Sequence, residues 1–357
     1  MKSFFCKKFF FTLALCSFSI VAGATDTEPL GTLGTIKMAT PNSQMQKILD
    51  QLKARGGKPI ETLTAKQARR QPTPADAVKA LMRTEGKKAD RTGIFKVIDR
   101  KIAGAAGPIP ARMYWPISKA GSSLPVILYY HGGGFVIANK EVYDATPRAL
   151  SKQVNAIVVS IDYRQAPENK FPAAHDDAFA AYKWVVENAN SFGGDANKIA
   201  VAGESAGANL ALNVALRARD EGVKLPVHEL LVYPVAGSNM NTPSYIENEK
   251  ARPLNKAMMV WFFKNYLKSP EEAKDKRIDL VSANLKGLPP ATVITAQIDP
   301  LRSEGKELAD QMIAQRMMVK YQNFDGVTHE FFGMASVLKE AKEAQQFAVD
   351  QLKNSFL

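Results

Sequence analysis

The sequence predicts an α/β fold, with a mostly parallel central sheet flanked by helices. Short apolar runs at 126–130, 156–161, 199–202, 230–235, 291–298 and 319–324 recur between helical stretches such as 173–188 and 206–219. Strands that alternate with helices in this way pack as a parallel sheet covered on both faces. The run Val126-Ile127-Leu128-Tyr129-Tyr130 passes directly into His131-Gly132-Gly133-Gly134, a loop that only glycine negotiates freely. The run 199–202 passes into Gly203-Glu204-Ser205-Ala206-Gly207 and then into a helical stretch.

Before this alternation come about 125 residues of different character. Lys2, Lys7 and Lys8 form a positive n-region, 9–21 is apolar but too short to span a bilayer, and Ala22-Gly23-Ala24 supplies a cleavage signal. Residues 1–24 therefore read as a secretory signal peptide, and the protein as exported, periplasmic or secreted. A short membrane anchor is the alternative. Lipidation at Cys16 is disfavoured by the bulky Leu15 before it. The only cysteines are Cys6 and Cys16, so the mature chain is expected to carry no thiol, disulfide or cysteine metal site.

After a polar lead-in at 25–41, Met45, Ile48, Leu49 and Leu52 recur at helical spacing and Gly56-Gly57 stops the helix. A second helix covers 74–83. Residues 94–102 and 109–116 read as a hairpin turning at 103–108. The predicted organisation is a helical cap segment at 25–90 and a catalytic domain at 91–357. That domain carries an insertion at 236–275, where Met258, Met259, Trp261, Phe262, Phe263 and Tyr266 crowd one short helix. Apolar on nearly all sides, this helix is either core packing or the underside of a cap over an apolar pocket. Phe135, Met258, Trp261 and Phe262 are the pocket candidates.

The chemistry begins at Ser205. In G-x-S-x-G between strand and helix, the serine sits exposed on a tight turn at a helix N-terminus, where developing negative charge is favoured. A serine nucleophile needs a base. Of four histidines, His228 stands at the wrong end of its strand, His175 lies within a helix and His131 belongs to the glycine loop. His329 follows the last strand through Asp325-Gly326-Val327-Thr328, at the end where reacting groups gather in parallel sheets. It is the base by elimination. The acid that orients it is assigned to Asp299, which ends the apolar run 291–298. Asp325 competes but better suits an Asp-Gly turn.

The glycine loop lacks the Lys-Ser/Thr of a phosphate loop, and no helix opens directly after it as a dinucleotide loop requires. Set beside the elbow, its N–H groups suit a transient oxyanion, with Gly133, Gly134 and Ala206 as donors. His131 and Gly132 are read as loop support.

These stretches resemble the hormone-sensitive-lipase-like esterases, bacterial family IV of the α/β-hydrolases. The motifs are His131-Gly132-Gly133-Gly134-Phe135, the stretch 162–177, Gly203-Glu204-Ser205-Ala206-Gly207, 299–305 and 328–332, in order over about two thirds of the chain. The resemblance implies an α/β-hydrolase fold and a helical cap built from the N-terminal region and a mid-chain insertion. It also implies short-to-medium acyl esters as substrates. Glu204 stands where many relatives carry Asp, and Glu330 where glycine is frequent. Asp162, Arg164 and Glu168 read as structural.

The predicted function is hydrolysis of a small-molecule carboxylic ester through an acyl-enzyme, with no metal or organic cofactor. The same triad would also act on an amide, thioester, lactone or acetylated saccharide. A non-catalytic binder on this fold is the alternative from another class, and the presence of Ser, Asp and His together argues against it. The formal charge is +12, or +9 without the three lysines of the signal peptide. Because basic residues are scattered, nucleic-acid binding is not expected. Nor is a stable membrane anchor; a homodimer is compatible with this reading.

Overall fold

The computed structural model describes residues 38–357 apart from 89, 91, 120 and 122. The expected signal peptide and most of the lead-in after it lie outside the described residues.

The N-terminal part folds as α1 (Ser43–Ala54), α2 (Ala65–Ala68) and α3 (Pro74–Thr84). Each start is fixed by a side chain accepting an N–H that has no partner within the helix: Asn42 from Met45, Thr64 from Gln67 and Thr73 from Asp76. Met45 and Ile48 face Ala77, Val78, Leu81 and Met82 in one buried cluster.

The antiparallel hairpin β1 (Ile94–Gly104) and β2 (Gly107–Pro116) follows, then β3 (Leu124–Tyr130), α4 (Ala145–Val154), β4 (Ile157–Ile161), α5 (Ala173–Asn188) and β5 (Gly194–Glu204). Next come α6 (Ala206–Asp220), β6 (Glu229–Val232), α7 (Pro243–Glu247) and α8 (Lys256–Tyr266). The chain closes with β7 (Ala291–Ile298), α9 (Arg302–Ala314), β8 (Val319–Thr328) and α10 (Lys339–Ser355). The eight strands order as β1-β2-β4-β3-β5-β6-β7-β8. Pairing is parallel from β4 through β8, and antiparallel only at β1–β2 and β2–β4.

The strand period of two divides the core. Val126, Leu128 and Tyr130 of β3 join α5, α6, α8 and α9 on one face. Ile127 and Tyr129 join α1, α3, α4 and α10 on the other. All five of these β3 side chains are buried, which is why the run carries no polar alternation. Among the described residues, no helix is long and apolar enough to cross a membrane.

Three strands end elsewhere than the apolar runs indicate. β5 runs two residues further, to Glu204, so the elbow begins at the strand's last residue. β6 stops at Val232 instead of 235, because Tyr233 turns out with φ 36° while its N–H stays bonded to Ile294 O. β8 continues to Thr328 instead of ending at 324, across a register shift opposite Ala296 and Ile298. Gly326 absorbs that shift with φ 70°, and its N–H donates to Gln297 Oε1 at 2.8 Å. Asp325 therefore lies in a bulged strand rather than a loop.

The chain between β6 and β7 carries α7 and α8. Of the residues on α8, Met259, Trp261, Phe262, Phe263 and Tyr266 are buried, Met258 is half-buried and Val260 is exposed. Trp261 Nε1 donates to Leu63 O at 3.0 Å, joining this helix to the N-terminal part.

Candidate active site

Ser205 occupies the turn between β5 and α6 with φ 57° and ψ −120°. Such a conformation costs a non-glycine residue about 1–3 kcal/mol and persists only where surrounding structure enforces it. Here the enforcement is backbone. Ser205 N–H donates to Val232 O at 2.9 Å, and Ser205 O accepts from Ala208 at 3.0 Å and Val235 at 3.2 Å. The glycines on either side are obligatory. A Cβ on Gly203 would lie 2.2 Å from Gly207 O, and one on Gly207 would lie 2.0 Å from Tyr130 O.

Residues from three strand ends meet at this turn. His329 Nε2 is 2.9 Å from Ser205 Oγ, and His329 Nδ1 is 2.7 Å from Asp299 Oδ2. The second carboxylate oxygen of Asp299 accepts the Leu301 N–H at 2.8 Å, which fixes its plane. Asp299 is fully buried, while Ser205 keeps 5% exposure and His329 2%. Burial alone disfavours the imidazolium. The charges of Asp299, Glu330 and Glu204, with the Asp299 hydrogen bond, outweigh it and hold the His329 pKa above its ordinary value. Asp325 takes no part: it is exposed and accepts from Asn323 Nδ2.

The glycine loop stands beside this triad. Gly133 and Gly134 take φ of 99° and 58°, the left-handed region where a side chain is strained. A Cβ on Gly133 would meet Ile137 O at 2.3 Å, and one on Gly134 would meet the Phe262 ring at 2.2 Å. Val136 and Ile137 N–H both turn back to Gly133 O. Among the described residues, the Gly133, Gly134 and Ala206 N–H groups donate to no protein acceptor. His131 Nδ1 lies 2.7 Å from Gly132 O, and its ring stacks on Tyr163 at 4.5 Å. Burial lowers its pKa, against the opposing charge of Asp162.

The other two histidines are structural. His175 sits between Tyr266 Oη and Asn209 Oδ1, and His228 between Ser355 Oγ and Thr292 Oγ1. Burial pushes both down to about 4. Asp162 pairs with Lys140, Arg164 with Asp177 and Glu168 with Arg69. Arg69 also donates to Val136 O and Ala166 O, tying α2 to the glycine loop.

Of the pocket candidates, Phe262 lies against Gly134 and Trp261 packs edge-on to it at 5.3 Å. Met258 is partly open. Phe135 is 1% exposed and stacks on Tyr266 at 4.1 Å.

Residue-by-residue reading missed the polar layer beneath the triad. Glu204 accepts from Tyr129 Oη at 2.5 Å and from Tyr233 Oη. Tyr233 also lies 4.4 Å from the His329 ring, centroid to centroid. Burial, with the charge of Glu330, pushes the Glu204 carboxyl up to about 7. Glu304 accepts from the Ala236 and Gly237 N–H groups and fixes the chain as it leaves β6. No spacing rule links these residues, because they come from separate strands and helices.

Beyond the serine, histidine and aspartate gathered at strand ends beside a glycine loop, residues 127–333 match the description of one protein family, the alpha/beta hydrolase fold. The chain belongs to the α/β-hydrolase fold family. Within it, this hydrolase is of the hormone-sensitive-lipase-like esterase kind. It is 38% identical over 264 residues to carboxylesterase NlhH of Mycobacterium tuberculosis, covering 72% of this chain and 82% of that one. To the ethyl acetate hydrolase of Pseudomonas putida it is 31% identical over 302 residues, covering 83% and 92%. The solved structure of a hyperthermophilic esterase from the archaeon Pyrobaculum calidifontis superposes with a TM-score of 0.79 at 36% identity. That match covers 88% of this hydrolase and 99% of the esterase.

Proposed function

We propose that this hydrolase cleaves carboxylic esters with Ser205 as nucleophile, His329 as base and Asp299 as its orienting acid. The observation that carries the reading is His329 bridging Ser205 Oγ and Asp299 Oδ2 through its two ring nitrogens. His329 Nε2 takes the hydroxyl proton as Ser205 Oγ attacks the carbonyl carbon. Asp299 balances the imidazolium. The carbonyl oxygen becomes an oxyanion, and the Gly133, Gly134 and Ala206 N–H groups receive it, being committed to no acceptor among the described residues. His329 returns the proton to the departing alcohol. Water then attacks the acyl-Ser205 ester by the same relay and releases the acid.

The acyl group is short to medium. Phe262 against Gly134, backed by Trp261 whose indole is bonded to Leu63 O, supports a close aromatic wall at the oxyanion loop. In this reading the N-terminal helices and the 236–275 insertion together form the cap that carries the wall. The lysines, apolar run and Ala22-Gly23-Ala24 of the N-terminus support export with cleavage after Ala24, which N-terminal sequencing of the exported protein checks.

A series of p-nitrophenyl esters from acetate to palmitate tests the substrate class. Turnover that peaks at short or medium chains and vanishes in Ser205→Ala agrees with it. A preference for long emulsified chains contradicts the chain-length reading, and turnover surviving in Ser205→Ala contradicts the nucleophile.

A further inference from the structure

Glu330, directly after His329, forms no hydrogen bond to the Ser205, Asp299 or His329 side chains among the described residues, yet its backbone adopts φ 71°, in the left-handed region that L side chains rarely occupy. Its side chain turns back into the protein, where Tyr143 Oη donates to Glu330 Oε1 at 2.5 Å. Tyr143 is 6% exposed and belongs to the turn before α4. The same hydroxyl rests on the glycine loop, because a Cβ at Gly132 would lie 2.3 Å from it. A continuous line of contact therefore runs from His329 through Glu330 and Tyr143 to Gly132, the residue before the two oxyanion glycines. It joins two parts of the site that come from different strands and share no direct hydrogen bond among the described residues.

We propose that Glu330 is a positioning residue: through Tyr143 it fastens the His329 turn to the glycine loop, setting the base at the correct distance from the oxyanion donors. The inference rests on the ester-hydrolase reading above. The left-handed backbone at Glu330 is what aims the carboxylate at Tyr143, since an extended residue there would project its side chain straight off one face of the sheet. Misplacement of a donor or base by a fraction of an ångström weakens transition-state stabilisation more than ground-state binding. The clamp therefore acts on kcat rather than KM.

Kinetics on p-nitrophenyl butyrate and thermal unfolding of Glu330→Ala, Glu330→Gly, Glu330→Gln and Tyr143→Phe test this. Glu330→Ala and Tyr143→Phe should each lower kcat about tenfold or more with KM within about threefold, and the double variant should lose little further. Glu330→Gly separates positioning from backbone strain: glycine suits the left-handed backbone, so its melting temperature should match or exceed that of Glu330→Ala while kcat falls equally. Glu330→Gln, whose amide oxygen still accepts from Tyr143, should recover most of the lost kcat. Wild-type kcat in a stably folded Glu330→Gly, Glu330→Gln as slow as Glu330→Ala, or fully additive losses in the double variant would overturn the clamp. If wild type hydrolyses no ester, the parent reading falls and the clamp with it. If wild type is active and Glu330→Gly equally so, the clamp alone falls.

Discussion

Asp299 and His329 are delivered to each other by strand pairing. Ile298 on β7 lies in register with Thr328 on β8, so the next residue on each strand steps off the sheet beside the other. That step leaves Asp299 Oδ2 2.7 Å from His329 Nδ1. The Gly326 bulge is what brings Thr328 into that register. Slipping it by one residue would turn every following side chain to the opposite face.

Asp299→Asn should lower kcat by about 10⁴-fold, because an amide favours the wrong imidazole tautomer and removes the charge that balances the imidazolium. KM should change little. Asp325→Asn, at an exposed site, should stay within about twofold of wild type. Steady-state kinetics on one short-chain ester compare the two.

The elbow should tolerate no added methyl group. In Gly207→Ala the new Cβ meets the Tyr130 and His131 carbonyl oxygens at 2.0 and 2.6 Å. Both are backbone atoms of a central strand end, so neither yields cheaply. A loss of about 3 kcal/mol or more is expected, read from urea unfolding.

The fold class and the Ser205 turn were legible for the same reason: each depends on local sequence, whereas His329 and Asp299 were placed by elimination and by strand ends. Uninterrupted apolar runs mark strands buried on both faces, and the elbow needs small residues flanking Ser205. Strand ends were less legible. Tyr233 and Gly326 change strand length through backbone angles that hydrophobicity does not encode. Phe135, a pocket candidate beside Met258, Trp261 and Phe262, takes a φ of 62° and stacks on Tyr266, an orientation that its place after the glycines does not reveal. The partners of Tyr129, Tyr143 and Tyr233 left no signal, since a buried tyrosine hydroxyl finds an acceptor but the sequence does not say which of the distant carboxylates supplies it.

Stability should decline as pH rises from about 5 to 8. Glu204 is held neutral in the folded protein up to about 7 by burial and by Glu330, while in the unfolded chain it ionises near its ordinary value of about 4.3. The folded state therefore binds the extra proton between these values. The stabilisation is complete below the unfolded pKa and is lost as pH passes the folded one. The raised His329 pKa acts in the same direction. Thermal unfolding across this range should show the slope, and Glu204→Gln should reduce it, the remainder coming from Glu229, Glu304 and Glu330, also raised by burial, and from His329.

Activity should have an acidic limb set by His329, which must be neutral to take the serine proton. Since its pKa is raised, kcat/KM should rise with pH around a midpoint above about 6.5. A midpoint well below that value would mean that Asp299, Glu330 and Glu204 do not outweigh burial.

Phe262→Ala should widen substrate choice. Removing the ring that lies on Gly134 opens space beside the oxyanion loop. The optimum in the p-nitrophenyl ester series should move toward longer acyl chains, at a stability cost of about 3–5 kcal/mol.

The most direct test is covalent. Exposure to a fluorophosphonate, followed by intact-mass and peptide mapping, should show one adduct per chain on Ser205, with none in Ser205→Ala. An adduct on another residue, or equal labelling of Ser205→Ala, would contradict the assignment of the nucleophile.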